Sequence, residues 1–227
     1  MGWFERKSNN ETLPEFWKTY VGHFQNKAPE TIAETRFVVW DTETTGFSSE
    51  TDRILCIGGV SLINKQITVK DSFEVFLQQD YYNAESATIH GILKREKQTC
   101  ITEEEAIIQF LDYIKDAVLV GHHVGFDVKM FNTALQRHQL PPLKNKTLDT
   151  GLLYKNTLLA TSMLKKKDHY TLDELAEKFN ISQKDRHTAL GDSLITAMVF
   201  LDILERFKLN HLRDLFRKQT PRRSPFW

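Results

Sequence analysis

The sequence predicts an α/β fold with a mixed central sheet flanked by helices. Three observations carry that prediction. Apolar runs of strand length come three in succession in the first half of the chain. After them, short apolar stretches alternate with segments of helical periodicity. Two Thr-x-x-Glu capping boxes, at Thr171 with Glu174 and at Thr102 with Glu105, mark helix starts within that alternating part.

Residues 1–35 read as an N-terminal extension with one amphipathic helix. Its stripe is Leu13, Phe16, Trp17, Tyr20, Val21 and Phe24. The stripe either packs on the chain's own main domain or docks a partner protein. Residues 36–207 form the main domain. Arg36 to Asp41 is a buried strand, and Ile54 to Ile63 and Ile67 to Leu77 are two more, joined by a tight turn at Asn64 and Lys65. The helix from Thr102 buries Ala106, Ile107, Phe110, Leu111 and Ile114. Ala117 to Gly121 is a short strand, and Gly125 to His138 is helical up to the break at Pro141 and Pro142. A last short strand, Thr147 to Thr150, leads into a helix through Leu153 and Leu158. The Thr171 helix ends near Phe179, and a long helix runs from about Thr188 to Phe207. Residues 208–227 hold a weaker amphipathic piece (Leu209, Leu212, Leu215, Phe216) and a tail, Pro221 to Trp227, expected to be disordered.

Composition narrows the function. The 227 residues carry 30 Lys and Arg against 30 Asp and Glu, so no global charge draws the chain to nucleic acid. That weakens passive nucleic-acid binding, but not a nuclease whose metals supply the positive charge. Cys56 and Cys100 stand in unrelated contexts, which argues against zinc and fits free thiols in a reducing compartment. No apolar run is long enough for a membrane span, and no signal peptide is visible. The cytoplasm is the expected location, with no membrane partner.

Four carboxylates and one histidine stand out. Asp41 and Glu43 are two apart at a strand end, so alternation puts both on one face. Paired like charges are unfavourable there unless a cation lies between them. Gly46 in the following turn permits close backbone approach to a ligand. Asp127 follows a strand and a loop, where α/β sheets bind ligands, although an acidic residue there also suits the helix dipole. His187 precedes the last long helix and Asp192 lies in its first turns. A loop-borne imidazole can reach a water while a helix-borne carboxylate stays fixed. All four carboxylates are hard oxygen donors that suit Mg²⁺ or Mn²⁺.

These residues carry a resemblance. The chain resembles the DnaQ-like 3′–5′ exonucleases of the DEDDh type, the family of the proofreading subunit of bacterial DNA polymerase III. The motifs appear in order as Asp41 to Gly46, His122 to Asp127 and His187 to Asp192, with His90-Gly91-Ile92 after the three strands. Where the family often has His-Asn this chain has His122-His123, and Gly191 stands where Asp or Glu is usual. The resemblance implies a ribonuclease-H-like fold over roughly Arg36 to Phe207 and a catalytic set of His187, Asp41, Glu43, Asp127 and Asp192. Asp41, Glu43 and Asp192 would hold one ion and Asp41 with Asp127 a second. His187 would be the base, and Thr44 and His90 would contact the last nucleotide. The implied activity is metal-dependent release of nucleoside monophosphates from single-stranded or frayed 3′ ends, with DNA favoured and a DNA polymerase as the candidate partner. The alternatives are an RNA-trimming exonuclease and a non-catalytic polymerase-binding module.

Two weaker features complete the reading. Lys144, Lys146 and Lys165 to Lys167 are either solvated surface or a phosphate track into the site. Leu212 to Phe216 faintly resembles a sliding-clamp peptide, but such Leu/Phe pairs are commonplace on packed helices. Asp149 reads as structural.

Overall fold

The computed structural model describes residues 13–79, 99–158, 167 and 169–219. His90-Gly91-Ile92, Lys165, Lys166 and the 221–227 tail lie outside the described residues. The sheet is formed by β1 (Phe37–Thr44), β2 (Ile54–Ile63), β3 (Gln66–Leu77), β4 (Cys100–Ile101), β5 (Val118–Gly121) and β6 (Thr147–Asp149). Their order is β4-β3-β2-β1-β5-β6. β1, β2 and β3 pair antiparallel, whereas β5 runs parallel to β1 and β6 parallel to β5. The mixed sheet expected from the element order is therefore present. The β2–β3 hairpin turns on Asn64 and Lys65, both at positive φ (49° and 58°), as a two-residue turn between right-twisted strands requires.

β1 runs beyond Asp41 to Thr44, because Asp41 to Thr44 keep pairing with β2 down to Ile54. The polarity of these side chains does not end the strand, since the ladder is made by backbone groups. β4, two residues parallel to β3, was not expected; so short a strand has no periodicity to read.

Helices cover both faces. On one, α6 (Ala189–Phe207) lays Ile195, Val199, Phe200 and Ile203 against Phe37 and Val39. On the other, α2 (Glu103–Ile114) and α3 (Gly125–Arg137) pack Ile107, Phe110, Leu111 and Phe131 on Val38 and Trp40. α2 opens with the expected capping box, Glu105 N–H to Thr102 Oγ1 at 3.2 Å and Thr102 N–H to Glu105 Oε2 at 2.9 Å. The box at Thr171 opens α5 (Leu172–Lys178) in the same way.

The amphipathic stripe forms α1 (Glu15–Gly22) and packs on the chain's own core. Trp17 and Tyr20 are buried with the Trp40 cluster, and the Tyr20 hydroxyl donates to Asn145 Oδ1 at 2.6 Å. α7 (Leu212–Gln219) buries Leu212 and Leu215, two of the three apolar positions of the peptide-like stretch, in the α6-side core, and packs Phe216 partly buried against it.

Candidate active site

The alternation of β1 decides where its acidic residues go. Phe37 and Val39 face α6, while Val38 and Trp40 face α2 and α3. Continued by two residues, the same pleat sends Asp41 and Glu43 toward the start of α6 and Thr42 toward α3. Gly58, the cross-strand partner of Asp41, lets α6 come close. A Cβ there would lie 2.2 Å from the Ala189 carbonyl carbon. Ser193 then reaches the Gly58 carbonyl at 3.0 Å, fixing the first turn of α6 to the sheet. Asp192, one residue earlier, is thereby delivered beside Asp41 and Glu43. Gly inside a strand signals such an approach in advance.

The three side chains converge. Carboxylate oxygens of Asp41, Glu43 and Asp192 all lie within 4.8 Å of one another. Burial, and then repulsion from Asp127, Asp192 and Glu43, drives the Asp41 carboxyl well above its ordinary range. Burial and the charges of Asp192 and Asp127 push Glu43 up to about 7. Positive charge joining the cluster relieves this repulsion. Three close carboxylates with hard oxygen donors fit a divalent cation such as Mg²⁺ or Mn²⁺.

Asp127 sits in the first turn of α3, on the other side of β1. Its Oδ1 accepts the Thr42 backbone N–H at 3.0 Å and the Thr42 hydroxyl at 2.6 Å. Asp127 is thus locked to the strand residue between Asp41 and Glu43 and acts on both electrostatically. It lies outside the triad of mutually close oxygens. Burial lifts its carboxyl to about 7 against the lowering effect of the Thr42 hydrogen bonds.

His187 is exposed in the turn before α6, at a left-handed φ of 63°. Its backbone N–H donates to Asp192 Oδ1 at 3.3 Å. Sequence reasoning missed the neighbour, Arg186. The Arg186 guanidinium donates to Asp192 Oδ2 through Nη1 and to Asp173 Oδ1 through Nε. Burial disfavours its charge, but the hydrogen bonds to Asp173 and Asp192 more than compensate and hold it protonated. Nothing local marks this residue: its partners are 13 residues before it and 6 after it.

The remaining motif residues have partners within the protein. Gly46 packs closely on Asp52, since a Cβ there would lie 2.6 Å from Asp52 Oδ2. Asp52 in turn accepts from the Thr45 hydroxyl and the Ser48 N–H, each at 2.9 Å. Thr44 donates its hydroxyl to the Gly46 carbonyl at 2.8 Å. His122 donates from Nε2 to the Tyr170 carbonyl at 2.8 Å, so its Nδ1 is the acceptor facing the Thr150 hydroxyl at 2.9 Å. Burial and the adjacent His123 depress its pKa to about 4. Asp149 accepts from the Val124 and Leu152 N–H groups, each at 3.0 Å, and ties β6 to the loop that launches α3. Phe47 is 87 % exposed beside Phe126, with ring centroids 6.1 Å apart.

Lys144 and Lys146 precede β6, at the end of the sheet where the parallel strands begin. The carboxylates stand where β1 leaves it. The two ammonium groups lie over the Phe24 and Phe216 rings, so these lysines do not lead into the site. Lys167 pairs with Glu174.

With this geometry in view, comparison with known proteins places the chain. The exonuclease family RNase T matches residues 38–200. A PolC-type DNA polymerase III from Caldanaerobacter subterraneus subsp. tengcongensis is 34 % identical over 185 residues, which is 79 % of this chain and 12 % of the relative. The DNA polymerase III subunit epsilon of Aquifex aeolicus is 31 % identical over 180 residues, 79 % of this chain and 85 % of the relative. This chain therefore spans only a small part of the PolC-type relatives. Exonuclease I of E. coli, solved in complex with a dT13 oligonucleotide, has the same fold at a TM-score of 0.66 and 16 % identity, over 77 % of this chain and 42 % of that one. Matched over residues 38–200, a stretch that includes all three acidic motifs, the chain belongs to the RNase T/DnaQ-like exonuclease family, homologous to the exonuclease domains of DNA polymerase III.

Proposed function

We propose that this chain hydrolyses phosphodiester bonds one nucleotide at a time from 3′ ends, releasing nucleoside monophosphates, with single-stranded or frayed DNA as its substrate. The observation that carries the proposal is the convergence of Asp41, Glu43 and Asp192 within 4.8 Å. In this reading Asp41, Glu43 and Asp192 hold one Mg²⁺ or Mn²⁺, and Asp41 with Asp127 holds a second. Ions held there would supply positive charge at the scissile phosphate and lower the pKa of a water. The chain's own residues do the rest. Asp127 braces β1 through Thr42. His187 accepts the proton of the attacking water, and its exposed loop position lets the imidazole reach it. The exposed Phe47 ring offers a face on which a terminal base can stack.

DNA is favoured because the homologues are DNA polymerase III proteins and the similar exonuclease I was solved with a DNA oligonucleotide. A polymerase is accordingly the proposed partner, and the cytoplasm the proposed location. The test is degradation of matched 5′-labelled DNA and RNA strands with Mg²⁺, with Mn²⁺ and with chelator. A ladder shortening from the 3′ end of DNA, abolished by chelator, is expected. Preference for RNA would shift the reading to RNA trimming. No cleavage with either metal would leave a binding module.

A further inference from the structure

Arg186 occupies a position the catalytic reading does not use. It lies in the turn between α5 and α6, with its side chain only 15 % exposed. Its two contacts come from different nitrogens and reach different helices. Nη1 donates to Asp192 in the first turn of α6, and Nε to Asp173 in the first turn of α5. The turn itself is tied to α5, since the Gln183 side chain donates to the Asp173 carbonyl at 3.4 Å and the Arg186 N–H to the Gln183 carbonyl at 3.2 Å. A guanidinium held this way can release one carboxylate and keep the other, because the two bonds come from separate nitrogens and reach separate helices. Its charge also opposes the mutual repulsion at both Asp41 and Glu43.

We propose that Arg186 is a built-in counter-ion of the acidic cluster, holding Asp192 when no divalent ion is present and yielding that carboxylate to the ion while staying anchored on Asp173. This rests on the metal-centre reading above. An ion that takes Asp192 competes directly with Arg186 Nη1, so Arg186 sets how tightly the metal is held. His187 follows Arg186 in the chain and bonds the other Asp192 oxygen through its backbone. Metal capture and placement of the base therefore pass through the same turn.

The two partners of Arg186 give the test opposite signs. Removing the guanidinium takes away a competing cation, whereas removing Asp173 takes away an anion and leaves the guanidinium wholly to Asp192. Mn²⁺ binding to the intact chain, without nucleic acid, is measured by titration calorimetry at pH 8 and fixed salt. Arg186→Gln is expected to bind Mn²⁺ about tenfold more tightly than the wild-type chain, and Asp173→Asn about threefold more weakly. General loosening of the fold would weaken binding in both. Unchanged or weaker binding in Arg186→Gln overturns the proposal. Should that variant fail to fold, wild-type or tighter binding in Asp173→Asn overturns it instead. Wild-type chain that shows no saturable Mn²⁺ binding would remove the metal centre itself, and this inference with it.

Discussion

Two neighbouring regions of the site are built in opposite ways. Asp41 and Glu43 stand on a strand hydrogen-bonded to β2, and Asp192 on a helix of 19 residues seated on Gly58. Arg186 and His187 instead stand in the turn before that helix, with His187 at a positive φ. The first region is fixed by a backbone ladder and by packing. The second is held by side-chain contacts to Asp173 and Asp192. In the proposed function the first region is a ligand set, which must keep its geometry, and the second supplies a proton acceptor and a counter-ion, which must shift as charge moves. The division follows that requirement.

The comparison is broken most severely from the rigid side. Asp41→Asn keeps the volume of the side chain and removes the charge shared by both proposed ion positions. Cleavage of end-labelled DNA is expected to fall about 10⁴-fold or more, to background. The metal-free fold should melt no lower than wild type, because a repelled carboxylate has gone. A thermal melt and a cleavage time course together check this. Substantial residual cleavage would show that Asp41 is not a ligand.

The turn side gives a smaller effect. His187→Ala is expected to lower the rate about 10²–10⁴-fold, leaving Mn²⁺ affinity and melting temperature near those of wild type. Its imidazole is exposed, and only its backbone N–H contacts Asp192. A variant that lost metal binding along with activity would make His187 part of the rigid region and erase the contrast.

How far this architecture can be read beforehand follows the same division. β2 was legible to its ends because an apolar run bounded by turn residues leaves little choice. Both capping boxes were legible because their partners lie three residues apart. Asp41, Glu43, Asp127, His187 and Asp192 were legible as motif residues, and the first two and the last meet in space. Arg186 was not, since its ion pairs depend on where α5 ends up relative to α6. Lys144 and Lys146 resembled a phosphate track only while their end of the sheet was unknown.

The crowding of the rigid region predicts a pH-dependent response to metal. Glu43 has a folded-state pKa raised from 4.5 to about 7. A raised carboxyl contributes stability that is fully present below its unfolded value and is lost as pH rises through the folded one. For Glu43 that window runs from 4.5 to about 7. The loss amounts to roughly 1–3 kcal/mol in the metal-free protein. A divalent ion removes the repulsion only where the carboxylates are ionised. The rise in melting temperature on adding Mn²⁺ should therefore be large at pH 8 and small at pH 5. Comparing Mn²⁺ with its absence at each pH cancels groups shifted the other way, such as Glu103. Equal stabilisation at both values would mean that the ion binds elsewhere.

The smallest expected effect lies at the joint between the two regions. Thr188 caps α6, accepting the Gly191 N–H at 3.1 Å, and donates its hydroxyl to the Asp185 carbonyl at 2.8 Å. The helix and the turn before it are thus joined through Thr188 as well as through the Asp192 contacts of Arg186 and His187. Thr188→Ala removes the cap and should cost about 1 kcal/mol in a thermal or denaturant melt. Gly191 keeps the backbone close at this joint, since a Cβ there would lie 1.9 Å from the Asp185 carbonyl oxygen. The turn therefore stays near the helix without the hydroxyl but loses a tether. If the two regions are separable, Thr188→Ala will lower the cleavage rate only a few-fold and leave Mn²⁺ affinity unchanged, because Asp192 remains seated through Ser193 and Gly58. A matching loss of metal affinity would show that the ligand set depends on the turn, and that rigidity and adjustability are not divided at Thr188.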